Sequence, residues 1–244
     1  IASLYNDTNR IFMEYIDNSL DSAEEYYDTI TNSYIENIII TIELLWKDYK
    51  DWKIIISDNC TWVKNFPKLV ENIGYSDKTK WEKSWKFTNW QFGFGIYSFI
   101  AACEKLSINS KTVSDEWNFI EIEREQFKKE RQEDVVFEIN QNNKALNILW
   151  KEVESGTIIE LSGFDKHMFK QIDFDEIQSE IERHFELLLH RKKLEIRLIR
   201  NSIEYICKPF DYSNLEWEEF DFKTNELHYE KIRKYEGRKY LDKE

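Results

Sequence analysis

Glu14–Ala23 reads EYIDNSLDSA, and on a helix this stretch gathers acids and an amide into one stripe. At about 100° per residue, Ile11, Phe12, Tyr15, Ile16, Leu20 and Ala23 fall on one side. Glu14, Asp17, Asn18 and Asp21 fall on the opposite side. Two readings are open. The stripe is the wet face of an amphipathic helix, or it is part of a site. Against the first, the acids lie within two turns of each other and repel. For the second, an Asn flanked by carboxylates offers oxygen ligands to a hard cation such as Mg²⁺.

The chain has 244 residues, enough for one large domain or two modest ones. Its formal net charge is −13, whereas a domain that grips nucleic acid usually carries a basic patch. The basic run RKKLEIRLIR, residues 191–200, is surrounded by acids and reads as a strand with a solvated face. Any DNA or protein client is therefore expected to be held by regions outside this chain. Cys60, Cys103 and Cys207 are far apart and odd in number, which is neither a disulfide framework nor zinc spacing. A reducing, cytoplasmic location is expected. No apolar run spans a bilayer and no signal peptide is read, so no membrane partner is expected.

Hydrophobic periodicity predicts a helix over Asn9–Tyr27 and strands over 35–44 and 51–57. A short helix is expected over 66–73, with Pro67 in its first turn. A polar stretch follows at 74–90, then a helix over 92–106 entered through glycines. Strands are expected at 107–113, 116–123, 134–140 and 156–162. A helix over 173–192 would place Ile177, Ile181, Phe185 and Leu188 on one face. A strand pair over 193–210 closes the main region, and the remaining tail has room for a helix. Helices with mostly antiparallel strands predict a two-layer α/β (α+β) sandwich, its sheet covered by helices on one face.

Three further stretches carry chemistry. In IIISDN, residues 54–59, an apolar strand ends in Asp58. A carboxylate there can accept a hydrogen bond from an exocyclic amine and so select adenine, or it is a plain turn residue. In FGFGIYSF, residues 92–99, two glycines lead into a helix whose free N–H groups can meet phosphate. In ESGTIIEL, residues 154–161, Gly156 and Thr157 open a strand.

In this order, the acidic helix with its Asn, the strand ending in Asp, a polar lid, the glycine-entered helix and the Gly-Thr strand together resemble the GHKL (Bergerat-fold) ATPase superfamily. Its members include heat-shock chaperones, gyrase B subunits, MutL and MORC proteins and sensor histidine kinases. The likeness covers roughly residues 10–165. The resemblance implies a Bergerat-fold, MutL/MORC/heat-shock-chaperone-like ATPase domain over 1–210, with an ATP lid at about 74–92. Residues 211–244 would be a C-terminal extension that begins a following region.

Residue by residue, the resemblance implies that Glu14 is the general base and that Asn18 is the Mg²⁺ ligand bridging to the triphosphate. Asp21 would shape the pocket, and Asp58 would read adenine. Ser76 and Lys78 would belong to the start of the lid, near phosphate. Gly93, Phe94 and Gly95 would hold phosphate through their backbone, and Thr157 would hydrogen-bond near adenine. Glu14, rather than an Asn, stands four residues before Asn18, which implies hydrolysis rather than kinase chemistry. The implied ligands are ATP and Mg²⁺. The implied activity is slow ATP hydrolysis driving ATP-gated homodimerisation of a larger protein, of DNA-repair, chromatin, phage-defence or chaperone type. The chain departs from the pattern where glycines are usual, with Cys60 and Trp62 in the first box and Trp90 before the second. These side chains would narrow the adenine pocket or stiffen the lid. A non-catalytic nucleotide-sensing or dimerisation module is the alternative they leave open.

Overall fold

A computed structural model of the chain describes residues 8–45, 52–60, 95–112, 118–128, 139–141, 147–148, 151–164, 172–212, 216–217, 230–235 and 238–243. The chain divides into two compact units, Ile1–Pro209 and Phe210–Glu244.

The first unit opens with α1, Thr8–Ala23, which tightens into a 3₁₀ turn at Glu24–Tyr26. The strands follow: β1 Tyr27–Asp28, β2 Ser33–Leu45 and β3 Lys53–Asp58. A 3₁₀ turn, Gly95–Ala101, leads into β4 Cys103–Lys111 and then β5 Asn118–Glu123. Next are β6 Ile139–Gln141, the small β7–β8 pair at Asn147–Ile148 and Lys151–Glu152, and β9 Gly156–Phe164. Two helices, α2 Phe174–His184 and α3 Glu186–Leu189, precede β10 Lys192–Arg200 and β11 Ile203–Ile206. The main sheet runs β11-β10-β2-β3-β9-β4-β5-β6, with β1 paired to β2. Among the described strands, only the β2–β10 pairing in it is parallel. The architecture is α+β, a mixed, mostly antiparallel open sheet with few helices.

The core follows from strand parity, since alternate side chains share a face. Ile38, Ile40, Ile42 and Leu44 of β2 lie beside Ile54 and Ile56 of β3, Ile159 and Leu161 of β9, and Leu106 and Ile108 of β4. All are buried. The apolar side of α1, with Ile11, Phe12, Tyr15, Ile16, Leu20 and Ala23, joins them in one core, as do Ile177, Ile181 and Phe185. The basic run at 191–200 is indeed a strand, with Leu194, Ile196 and Leu198 inward and Arg197 outward on Glu195 and Glu204.

Three expected elements differ. The helix over 92–106 is a 3₁₀ turn only to Ala101, and Cys103 already pairs with Phe164 in the sheet. Ile100, Cys103 and Leu106 keep helical spacing, but the β9 edge recruits this segment as a strand, and pairing overrides local periodicity. The helix over 173–192 starts on an Asp173 cap, whose side chain accepts from the N–H groups of Asp175 and Glu176. It breaks at Phe185, which leaves the helical region at φ −102°, ψ 19° and is buried. The second unit holds strands where a helix had room: β12 Glu216–Trp217, β13 Glu230–Tyr235 and β14 Arg238–Lys243 form an antiparallel sheet. The short helix over 66–73, the lid at 74–92 and the strand residues at 134–138 lie outside the described residues.

Candidate functional site

The inner face of the sheet carries its side chains in rows across the strands. One row, Leu198, Ile42, Ile56, Ile159, Ile108 and Ile120, is wholly apolar. The next row toward the end of β3 reads Ile196, Ile40, Asp58, Thr157 and Ser110. Three polar residues on three adjacent strands thus sit at the margin of an apolar core, and all three are buried.

Asp58 is the centre of this row and is 1% exposed. Its Oδ2 accepts from the Ser19 hydroxyl of α1 at 2.6 Å, and its Oδ1 accepts from the Cys60 N–H at 2.8 Å. Burial pushes its carboxyl up to about 6, against the hydrogen bonds from Ser19, Cys60 and the Thr157 backbone, which favour the charged form. At neutral pH it is an ionised acceptor in a nearly dry place.

The surroundings hold this acid still. Asn59 accepts from the Ile39 N–H at 2.8 Å and donates to the Asn37 carbonyl at 2.7 Å, so the turn after β3 is pinned to β2. The Ser110 and Thr157 hydroxyls are 2.9 Å apart, and Ser110 also donates to the Gly156 carbonyl at 3.2 Å. Gly156 has to be glycine, because a Cβ there would collide with the Asp58 carbonyl. Cys60, in a position where the resemblance expects glycine, is buried in the core and lends its N–H to Asp58. Burial raises its thiol, so it is not a reactive cysteine.

The stripe on α1 is not a fully wet face. Glu14, Asp17 and Asp21 are half-buried, and Asn18 is 4% exposed. The Asn18 Nδ2 is buried without a hydrogen-bond partner. Asp17 lies 3.9 Å from His184 Nε2 of α2. Arg191 anchors the end of the helix: it pairs with Glu24, donates to the Tyr34 hydroxyl at 3.0 Å and stacks on the Tyr27 ring. Burial pushes the Tyr34 hydroxyl up to about 12, so it remains protonated.

The structure brings Asp58 and Thr157 together as neighbours across β3 and β9, and joins Asp58 to Ser19, the residue after Asn18 on α1. Glu14 and Asp21 lie one turn before and just under one turn after Asn18 on the same side of the helix. Gly95 opens the 3₁₀ turn that packs on α1. Ser76, Lys78, Gly93 and Phe94, with Trp62 and Trp90, lie outside the described residues. Ser19 and Ser110 are the site residues that sequence reasoning passed over. Both left a signal, since each is a hydroxyl at a position whose periodicity is otherwise apolar: Ser19 beside Ile16 and Leu20, Ser110 after Leu106 and Ile108.

Among the described residues no group of three or more His, Cys, Asp and Glu side chains could hold a metal ion, and no helix is long and apolar enough to cross a membrane. No protein-family model matches the chain, and no curated protein is significantly similar to it.

Proposed function

We propose that this chain is a Bergerat-type module that binds Mg·ATP and hydrolyses it slowly, with bound nucleotide favouring a dimer of a larger protein. The observation that carries this reading is the buried Asp58, held by Ser19 of the same helix that presents Asn18 and Glu14. A buried carboxylate with both oxygens fixed is costly to keep unless it has a further use, and an exocyclic amine is the donor it suits.

The residues fit the nucleotide and its metal. Asn18 offers a buried amide with an unpaired atom, and rotation of the amide exchanges its oxygen and nitrogen. Mg²⁺ commonly arrives with phosphates and needs few protein ligands. Mg²⁺, when bound, would be held by Asn18, phosphate oxygens and water, and would neutralise charge on the phosphates. Asp58 and Thr157 would orient the base. Glu14, one helical turn from Asn18, would accept the proton of the attacking water as general base. Asp21 would shape the wall beyond. The client would be of DNA-repair, chromatin, phage-defence or chaperone type.

The test is titration calorimetry with Mg·ATP, with turnover measured in parallel. Asn18→Ala is expected to abolish Mg²⁺-dependent binding while remaining folded. Glu14→Ala is expected to bind normally and to lose roughly 10²-fold or more in rate. Unchanged ATP affinity in folded Asn18→Ala, or wild-type turnover in Glu14→Ala, would sink the respective assignment. Failure of the unmodified chain to bind Mg·ATP would sink the whole reading.

A further inference from the structure

The main sheet ends at β11, and among the described residues no strand pairs on its outer side. All of its residues are exposed, with Ile203 at 56%, Tyr205 at 42% and Ile206 at 47%. Edge strands are usually guarded by a lysine, a proline or a bulge, because their free backbone groups template another strand. β11 has no such guard: it carries neither Lys nor Pro, and its register with β10 is unbroken. Its one charge, Glu204, is already bonded to Arg197 within the sheet.

The phase of the hairpin fixes which backbone groups are free. Asn201 and Ser202 both have positive φ, the two-residue turn that closes a hairpin on a hydrogen-bonded pair, here Arg200 and Ile203. That phase repeats every second residue, and the Cys207 N–H does donate to the Ile196 carbonyl. Ile203, Tyr205 and Cys207 therefore turn their backbone groups toward β10, while Glu204 and Ile206 turn theirs away from the sheet. The side chains divide by the same parity. Tyr205 packs edge-on against Phe174 of α2, so Tyr205 and Ile203 share the helix side, and Glu204 and Ile206 share the other.

We propose that β11 pairs with β11 of a second copy of this chain, antiparallel, about a two-fold axis normal to the sheet. Such an axis keeps each face of the sheet on its own side, so residues of like parity oppose each other. Setting Glu204 against the partner's Ile206 uses every free backbone group on both edges, and brings Tyr205 against the partner's Tyr205 on the axis. The neighbouring registers are worse. One sets Glu204 against Glu204, and the other needs the Lys208 N–H, which Glu182 already holds. The edge is thus complementary to itself in one register, and the pairing closes at two copies. So short an edge supports a weak dimer. Because each copy carries a net charge of −13, added salt strengthens it. None of this depends on the nucleotide reading.

The experiment uses the chain without nucleotide. Light scattering over a range of protein and salt concentrations is expected to show the mass rising toward that of a dimer. In Tyr205→Cys the two new thiols meet on the axis, in a non-hydrogen-bonded pair with Cα atoms about 4.5 Å apart, within reach of a disulfide. Mild oxidation is expected to cross-link this variant into a dimer. Glu204→Cys, which would face isoleucine, and the unmodified chain are expected to stay uncross-linked. Glu204→Pro removes an N–H that the sheet itself does not use, so it is expected to stay folded and to weaken self-association about tenfold or more. A monomer at every concentration would overturn the proposal and leave the edge to a strand of another protein. So would cross-linking of Glu204→Cys as readily as Tyr205→Cys, or undiminished association of folded Glu204→Pro. Should Tyr205→Cys not fold without its Phe174 contact, the association of Glu204→Pro decides alone.

Discussion

On the inner face of the sheet, the row Ile42, Ile56, Ile159, Ile108 and the row Ile40, Asp58, Thr157, Ser110 are neighbours on the same four strands. Both are buried to the same degree. The first needs nothing beyond contact, because burying an aliphatic side chain contributes about 1.5–3 kcal/mol by itself. The second has to offset the desolvation of a carboxylate and two hydroxyls, and does so with Ser19, the Cys60 N–H and the Ser110–Thr157 pair. Such bonds mainly offset the desolvation of the carboxylate and add little beyond it. A third apolar row would hold the sheet at least as well. What the polar row adds is a fixed acceptor at the core margin, under a helix that carries Asn18 and Glu14. On the proposed reading, the difference between the rows is one between stability and recognition.

The comparison can be broken first through stability. Ile56→Ala removes a fully buried side chain between Ile42 and Ile159, and is expected to cost about 4 kcal/mol in denaturant unfolding. Asp58→Asn is expected to cost less than half of that at neutral pH. If the acid proves the more costly loss, the polar row is a structural element and the distinction between the rows fails.

The second route is pH. The folded-state carboxyl of Asp58 is raised to about 6 from 3.8. The folded protein thus holds this proton more tightly than the unfolded chain between those values. Stability from this group is fully present below about pH 4 and is lost as pH rises toward 6, flat beyond. The loss is on the order of 3 kcal/mol. It should emerge as the difference between wild-type and Asp58→Asn unfolding free energies, followed from pH 4 to 7. A difference that stays constant with pH would mean that Asp58 titrates as an ordinary surface acid.

Much of this arrangement was legible in the sequence, where one period dominates. The apolar side of α1 and the alternation in β2, β3 and β9 point to their partners directly, and Asp58 ends its strand where the apolar run stops. Gly156 was readable as a strand opener, but its cause, the Asp58 carbonyl pressed against it, lies ninety-eight positions away in the chain and leaves no local mark. The start of β4 misread as helix because Ile100, Cys103 and Leu106 fit a helical stripe, while the pairing with β9 that decides the matter is non-local. The break at Phe185 was hidden for the same reason: Phe185, Leu188 and Leu189 continue the stripe on either side of it. Ser19 and Ser110 were visible as polar intruders on apolar positions. What they were for required Asp58 and Thr157 to be placed opposite them.

The claim that Asp58 recognises an exocyclic amine is tested most directly by titrating the chain with Mg·ATP and with Mg·ITP, whose base carries a carbonyl in place of that amine. The expected result is binding of Mg·ATP and at least about a hundredfold weaker binding of Mg·ITP, because a carbonyl oxygen would face an ionised, buried carboxylate. Equal affinity for the two nucleotides would contradict it, and would leave Asp58 as no more than the buried partner of Ser19 and Cys60.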